Sequence, residues 1–412
     1  MSDPALTDQL PYSPLLSGVL DDARALLPQV RDLRRRIHQS PETGLALPGT
    51  QRAVLDELAD LDLQVHTGEN VGSVLAVLQG DHPGPTVLLR GDMDALPVQE
   101  ASGLDFASSV DGVMHACGHD THVAMLAGAA KLLAARRSQI AGQVLFDFQP
   151  GEEGMHGARI MLEEGMLELA PPVTGAYALH IKATYPAGTI NVRPGPQLAS
   201  SDTLRIVVHG RGGHASAPHD GLDPVPVACE IVTAIQAMVT RGFTIFDPVV
   251  VTIAHIVAGT RDNVIPDSAF MEGTIRSLSA TARARVADRL PTLVHGIAAA
   301  HGATAEVEVR RGYPVTVNDS DAAAFVSEVA GSVLGADAVV AMDHPVMGAE
   351  DFSYVLEQVP GAMAFLGACP AGADPATTPD NHSNRVVFDE DSMASGVAVY
   401  AALALRHLAD AG

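Results

Sequence analysis

Between Met114 and His122 the chain reads Met-His-Ala-Cys-Gly-His-Asp-Thr-His, and further on it reads Gln149-Pro150-Gly151-Glu152-Glu153. A thiol, imidazoles and adjacent carboxylates are the donors from which hydrolytic transition-metal sites are built. Cys117 and His119 are separated only by Gly118, so in an irregular loop both side chains can turn toward one ion. Taken singly, each residue has a plain structural reading. An isolated cysteine is mostly packing, an acidic pair mostly faces solvent, and a histidine on an apolar strand, such as His180, mostly has its bonds satisfied in the core. Their joint occurrence favours a metal.

These residues must be held by something, and the segments around them supply it. VGSVLAVLQG (71–80), TVLLRGDMD (86–94), QVLFDFQP (143–150) and TGAYALHIK (174–182) read as apolar strands, interleaved with helices over 121–137 and 158–164. That alternation predicts an α/β fold whose catalytic domain has a mixed, mostly parallel sheet flanked by helices. Asp92 and Asp94, Glu152 and Glu153, and His180 all fall at downstream strand ends, where open α/β sheets bind ligands. A helix over 17–38 ends in Arg34-Arg35-Arg36, which reads as a solvated or salt-bridged surface.

From Gln197 the pattern changes to strand (203–210), helix (225–241), two strands (249–259 and 268–277), a helix to His301 and a return strand (305–310). This predicts an inserted α+β sandwich, a lid or dimerisation domain over 197–310, between catalytic segments 1–196 and 311–412. Its edge strand offers a pairing surface for a homodimer or homotetramer. The final apolar helix is expected over 392–408.

The 412 residues carry 25 basic and 49 acidic side chains, a formal charge of −24. This opposes nucleic acid or an anionic membrane as a partner and favours small-molecule chemistry. The opening segment MSDPALTDQLPYSPLL lacks a basic stretch followed by an apolar one, and no apolar run is long enough to span a bilayer, so a cytoplasmic location is expected. Cys117, Cys229 and Cys369 are too scattered for a disulfide framework, and Cys229 in VPVACEIV reads as a buried small hydrophobe.

Ten strings, LRRRIHQSPETG, RGDMDALP, MHACGHDTH, QPGEEG, YALHIK, GRGGHASAPHDGLDP, RDNVIPD, GTIRS, MGAEDFS and NHSN, follow one another from Leu33 to Asn384. With them the chain resembles the binuclear metallo-aminoacylase and carboxypeptidase family, in the amidohydrolase branch that contains hippurate hydrolase and indole-acetyl-amino-acid hydrolase. The resemblance implies that Cys117, His119, Glu153, His180 and His382 bind two divalent ions, zinc or manganese first and nickel or cobalt next. Asp92 occupies a position where relatives outside the branch carry a ligand histidine, and it stays outside the ligand set. Glu152 is implied as acid/base, and Asp94 as a catalytic-site residue that orients a ligand from behind. His214 is implied as a donor to the oxyanion, and Asn263, Arg276 and Gly348 as substrate contacts, with Arg276 on the free carboxylate of an amino acid. His115 and His122 read as supports beside the site, His219 and Asp223 as shaping the lid loop. His38, His156, His255 and His344 read as structural or surface residues. Glu350 and Asp351 are candidates for hydrogen bonds to pocket elements.

The activity implied is hydrolysis of an N-acyl amino acid to a carboxylic acid and a free amino acid. Deacetylation of an N-acetylated diamino acid and dipeptide cleavage are the alternatives within the class. A non-catalytic metal- or ligand-binding protein is the rival outside it, and a redox thiol protein is disfavoured because Cys117 has no cysteine near it in sequence.

Overall fold

The computed structural model describes residues 14–170 and 172–410, and the opening segment on which the compartment reading rests lies outside them in part. Two compact units emerge. The first comprises the described residues up to Gln197, Val317–His344 and those from Tyr354 onward; the second comprises Leu198–Thr316 and Pro345–Ser353.

The first unit is built on an eight-stranded sheet in the spatial order Gln64–Thr67, Val74–Gln79, Ala141–Gln149, His82–Asp92, Val173–Lys182, Gly361–Gly367, Ile190–Val192, Val339–Ala341. His82–Asp92 runs parallel to both Ala141–Gln149 and Val173–Lys182, which runs parallel to Gly361–Gly367. These central strands are almost continuously apolar and buried because helices cover them. Helices His119–Ala135 and Ser392–Asp410 are apolar nearly all round and join Val19–Gln39 and Ser320–Leu334 in one core with Val87, Leu89, Phe146, Phe148 and Leu179.

Register decides what reaches the site. Arg90 lies beside Asp147, and Asp92 beside Gln149, so these polar side chains share one face near the strand ends while Leu89, Phe146 and Phe148 enter the core. The helix expected from Thr121 in fact begins at His119, so Cys117 stays in the loop and His119 is the first helical residue. Gly118 between them has φ +91°, and a Cβ there would lie 2.4 Å from Ile181 Cγ2 and 2.9 Å from the Phe388 ring. Only glycine makes this turn this close to the neighbouring strand.

The second unit is a four-stranded antiparallel sheet in the order Val249–Ala258, Ser268–Ser277, Asp202–His209, Thr304–Arg311, with helices Pro224–Gly242 and Ala280–Ala300 packed on it. Asp202–His209 alternates buried and half-buried positions, as a strand covered on one face must. Asp223 and Ser279 cap the two helices. Cys229 is exposed, not buried: the helix turns Val227, Ala228, Ile231, Ile235 and Met238 inward and leaves residue 229 on the outer face. Among the described residues no helix is long and apolar enough to cross a membrane.

Candidate metal centre

Four chain segments of the first unit deliver donors to one place. Cys117 comes from the loop before helix His119–Ala135, and His119 from its first turn. Glu152 and Glu153 come from the turn after strand Ala141–Gln149, His180 from the end of strand Val173–Lys182, and His382 from a loop where its own φ is +70°. The Cys117 sulfur lies 3.4 Å from His180 Nε2 and 3.2 Å from His382 Nε2, and His382 Nε2 lies 3.4 Å from Glu153 Oε1. Cys117, His119 and His180 form one group with donor atoms mutually within 4.8 Å; Cys117, Glu153 and His382 form another. Cys117 belongs to both.

The chemistry of these donors fits a cation. Among the described residues neither ring nitrogen of His119 makes a well-aimed hydrogen bond, nor does Glu153 Oε1, although all are buried. Burial holds His180 well below the usual imidazole range, with His122 adding to it, so the ring is neutral as a ligand must be. Burial also pushes the Cys117 thiol up to about 12, against a lowering pull from His119. Burial works to lower His119, but Asp92 and Cys117 outweigh it and hold the ring well above its ordinary value. A cation among them would displace both protons.

Asp94 sits behind the donors. Its two oxygens accept from the backbone N–H groups of Glu152 (3.0 Å) and Glu153 (2.9 Å), and Oδ1 lies 3.5 Å from His119 Nδ1. One carboxylate therefore fixes the turn that carries both glutamates. Glu152 Oε2 stands 4.0 Å from His119 Nε2, at the edge of the donor cluster.

Asp92, His119 and His122 are also close enough to suggest a site. The bonding argues otherwise. His122 Nδ1 is hydrogen-bonded to Asp92 Oδ1, and His122 Nε2 accepts from the Ile181 N–H at 2.8 Å, so neither nitrogen has a lone pair to give. Asp92 Oδ2 accepts from Arg90 Nη1 at 2.7 Å, and Arg90 Nε donates to Gln149 at 3.0 Å.

Three features differ from the sequence reading or go beyond it. Arg34 is not a surface residue: it is 1% exposed and its Nε donates to Asp120 Oδ2 at 2.7 Å, beside His38 Nδ1 at 2.8 Å from the same oxygen. Arg35 pairs with Glu390 and Arg36 with Asp32, as a salt-bridged surface would. His115, read as a support beside the site, is buried with neither ring nitrogen hydrogen-bonded among the described residues, and Asn381, the neighbour of His382, bonds to three backbone groups.

His214, Asn263, Arg276 and Gly348 lie on the second unit. His214 pairs with Val264 in a short antiparallel ladder, its Nδ1 meets Ser216 Oγ at 2.8 Å, and the Asn263 carbonyl accepts from the Ala215 N–H. Arg276 is half-buried on strand Ser268–Ser277.

Residues 88–406 match the model of Peptidase family M20/M25/M40. The chain is 39% identical to thermostable carboxypeptidase 2 of Saccharolobus solfataricus, over 95% of this chain and 98% of that one. It is 38% identical to N-acetylcysteine deacetylase of Bacillus subtilis, over 91% and 95%. Among solved structures it resembles the Bacillus subtilis YXEP protein, described as a dinuclear metal binding peptidase, with TM-score 0.81, 34% identity and coverage of 94% and 99%.

Proposed function

Since the chain belongs to Peptidase family M20/M25/M40 and is a hydrolase of amide bonds, we propose that it cleaves N-acyl amino acids, N-acetyl or N-aroyl, to a carboxylic acid and a free amino acid. The observation that carries this reading is the pair of donor groups that share Cys117. Cys117, His119, Glu153, His180 and His382 would hold two divalent ions, Cys117 being the residue that belongs to both donor groups. When bound, such ions supply Lewis acidity that acidifies water and polarises an amide carbonyl. Sulfur among the donors favours zinc over manganese.

The protein's own groups do the rest. Glu152 takes the proton of the attacking water and returns it to the nitrogen of the departing amine, which cannot leave as an anion. Asp94 keeps Glu152 and Glu153 in different roles by bonding both their backbone N–H groups, so that consecutive side chains leave the turn in fixed directions. To the second unit the reading assigns His214 as donor to the oxyanion, and Asn263, Arg276 and Gly348 as substrate contacts. The Arg276 guanidinium suits a carboxylate because it offers two parallel donors.

The metal-loaded protein is tested on N-acetyl, N-benzoyl and indole-acetyl amino acids beside dipeptides. Turnover of acyl amino acids above dipeptides supports the reading, and preference for dipeptides or for an acetylated diamino acid replaces the substrate class. In parallel, Glu152→Gln should retain metal and lose at least about 10²-fold in kcat. Undiminished turnover in that variant removes Glu152 from its role.

A further inference from the structure

Asn381 stands where three donor-bearing segments meet. Its Nδ2 donates to the Cys117 carbonyl and to the Ile181 carbonyl, each at 2.9 Å, and its Oδ1 accepts from the Ala183 N–H at 3.2 Å. The residue that follows it is His382, whose own N–H donates to the Ala116 carbonyl at 2.8 Å. One side-chain amide thus joins the Cys117 loop, the end of the His180 strand and the loop of His382.

The Ile181 carbonyl shows why the joint matters. It accepts a second hydrogen bond, from His180 Nδ1 at 2.8 Å. A carbonyl accepts only from a donor, so this bond fixes the proton on Nδ1 and leaves Nε2 with its lone pair toward Cys117. The amide of Asn381 holds that carbonyl in place, and on the other side of the same residue the Ile181 N–H is held by His122. Both donors and the acceptor of the Asn381 side chain are therefore spent on backbone. Aspartate, of the same shape, has no donor and would set an oxygen against two carbonyl oxygens; alanine would free all three segments.

We propose that Asn381 is a positioning residue of the metal centre: its amide sets Cys117, His180 and His382 at the separations a pair of ions requires, without itself binding metal. This rests on the metal reading above. Outer partners of ligands in other metal sites typically change affinity by about 10- to 100-fold.

The experiment compares wild type, Asn381→Asp and Asn381→Ala, full-length, by zinc titration against a competing chelator and by thermal unfolding with and without zinc. Each is also loaded with cobalt, whose thiolate absorption band reports the sulfur's geometry. Both variants should bind zinc about 10- to 100-fold more weakly and shift the cobalt band. Their thermal midpoints should fall more with zinc than without. Unchanged affinity and band, with a midpoint lowered equally in both conditions, would show that Asn381 only supports the fold and would overturn the proposal. Should Asn381→Ala not fold, Asn381→Ser, which keeps one donor on a shorter arm, takes its place. Failure of all three variants to fold also overturns it. Wild type that binds no zinc defeats the metal reading itself, whereas tight wild-type binding with unaffected variants defeats only the role of Asn381.

Discussion

Asp147→Asn changes one group in the centre of the large sheet and leaves its shape intact. Asp147 lies on strand Ala141–Gln149 opposite Arg90, is 0% exposed, and neither carboxylate oxygen has a hydrogen-bond partner among the described residues. The neighbouring Arg90 donates to Asp92 and Gln149 instead. Burial pushes the Asp147 carboxyl up to about 7; Arg90 opposes the rise and Asp92 adds to it. An aspartate in an unfolded chain titrates near 3.9. Between about pH 4 and 7 the folded protein therefore keeps a proton that the unfolded chain has released.

The sign follows from that difference. Where the unfolded state binds fewer protons, stability falls as pH rises, so Asp147 weakens the fold progressively from about pH 4 and fully above about pH 7. A rise of roughly three units corresponds to about 4 kcal/mol. Asparagine removes the ionisation without altering volume, so the variant should exceed wild type by about 4 kcal/mol at pH 8 and by only about 1–2 kcal/mol at pH 5. Urea unfolding at both pH values, in chelator so that metal uptake does not enter, measures the two differences. A gap between variant and wild type that is the same at pH 5 and pH 8, or a variant less stable at pH 8, would refute the assignment of a neutral buried carboxyl.

Zinc affinity should climb with pH, because the Cys117 thiol near 12 and the raised His119 must each lose a proton; with two protons released the rise is roughly 100-fold per pH unit near neutrality. A flat profile from chelator competition at pH 6, 7 and 8 would exclude these two residues as ligands. Gly118→Ala adds a methyl at φ +91° against Ile181 and Phe388. It should cost about 1–3 kcal/mol and misplace Cys117, so metal analysis should find substoichiometric zinc; full loading with wild-type affinity would contradict the need for glycine there.

How much of this was legible in the chain differs residue by residue, for physical reasons. The strand ends and the inserted sandwich were readable because apolar runs and alternation are local signals, and the final helix falls within two residues of its expected bounds. Arg34 was not, because its partner Asp120 is 86 residues away and three consecutive arginines look solvated until the fold buries one of them. Cys229 was misjudged although the signal was present: counting from Val227 and Ala228 by helical turns sets it on the outer face. The carboxyl of Asp147 between Phe146 and Phe148 was visible, but its lack of hydrogen-bond partners among the described residues was not. Asn381 stands in the NHSN string but was given no role of its own, because an asparagine beside a histidine gives no hint that its amide will meet three distant backbone groups.

The hardest distinction was among histidines, and residue type could never have made it. His119 and His122 sit one helical turn apart, both fully buried and both beside Asp92. What separates them is which lone pairs are already used. His122 spends one nitrogen on a carboxylate and the other on the Ile181 N–H, a backbone donor that exists there only because strand Val173–Lys182 ends beside the helix. His119, with neither nitrogen in a well-aimed hydrogen bond among the described residues and the Cys117 sulfur close by, keeps its coordinating capacity. Ligand capacity in this centre is thus a property of the hydrogen-bond accounting around each ring, and the fold writes that accounting through backbone groups that no motif contains.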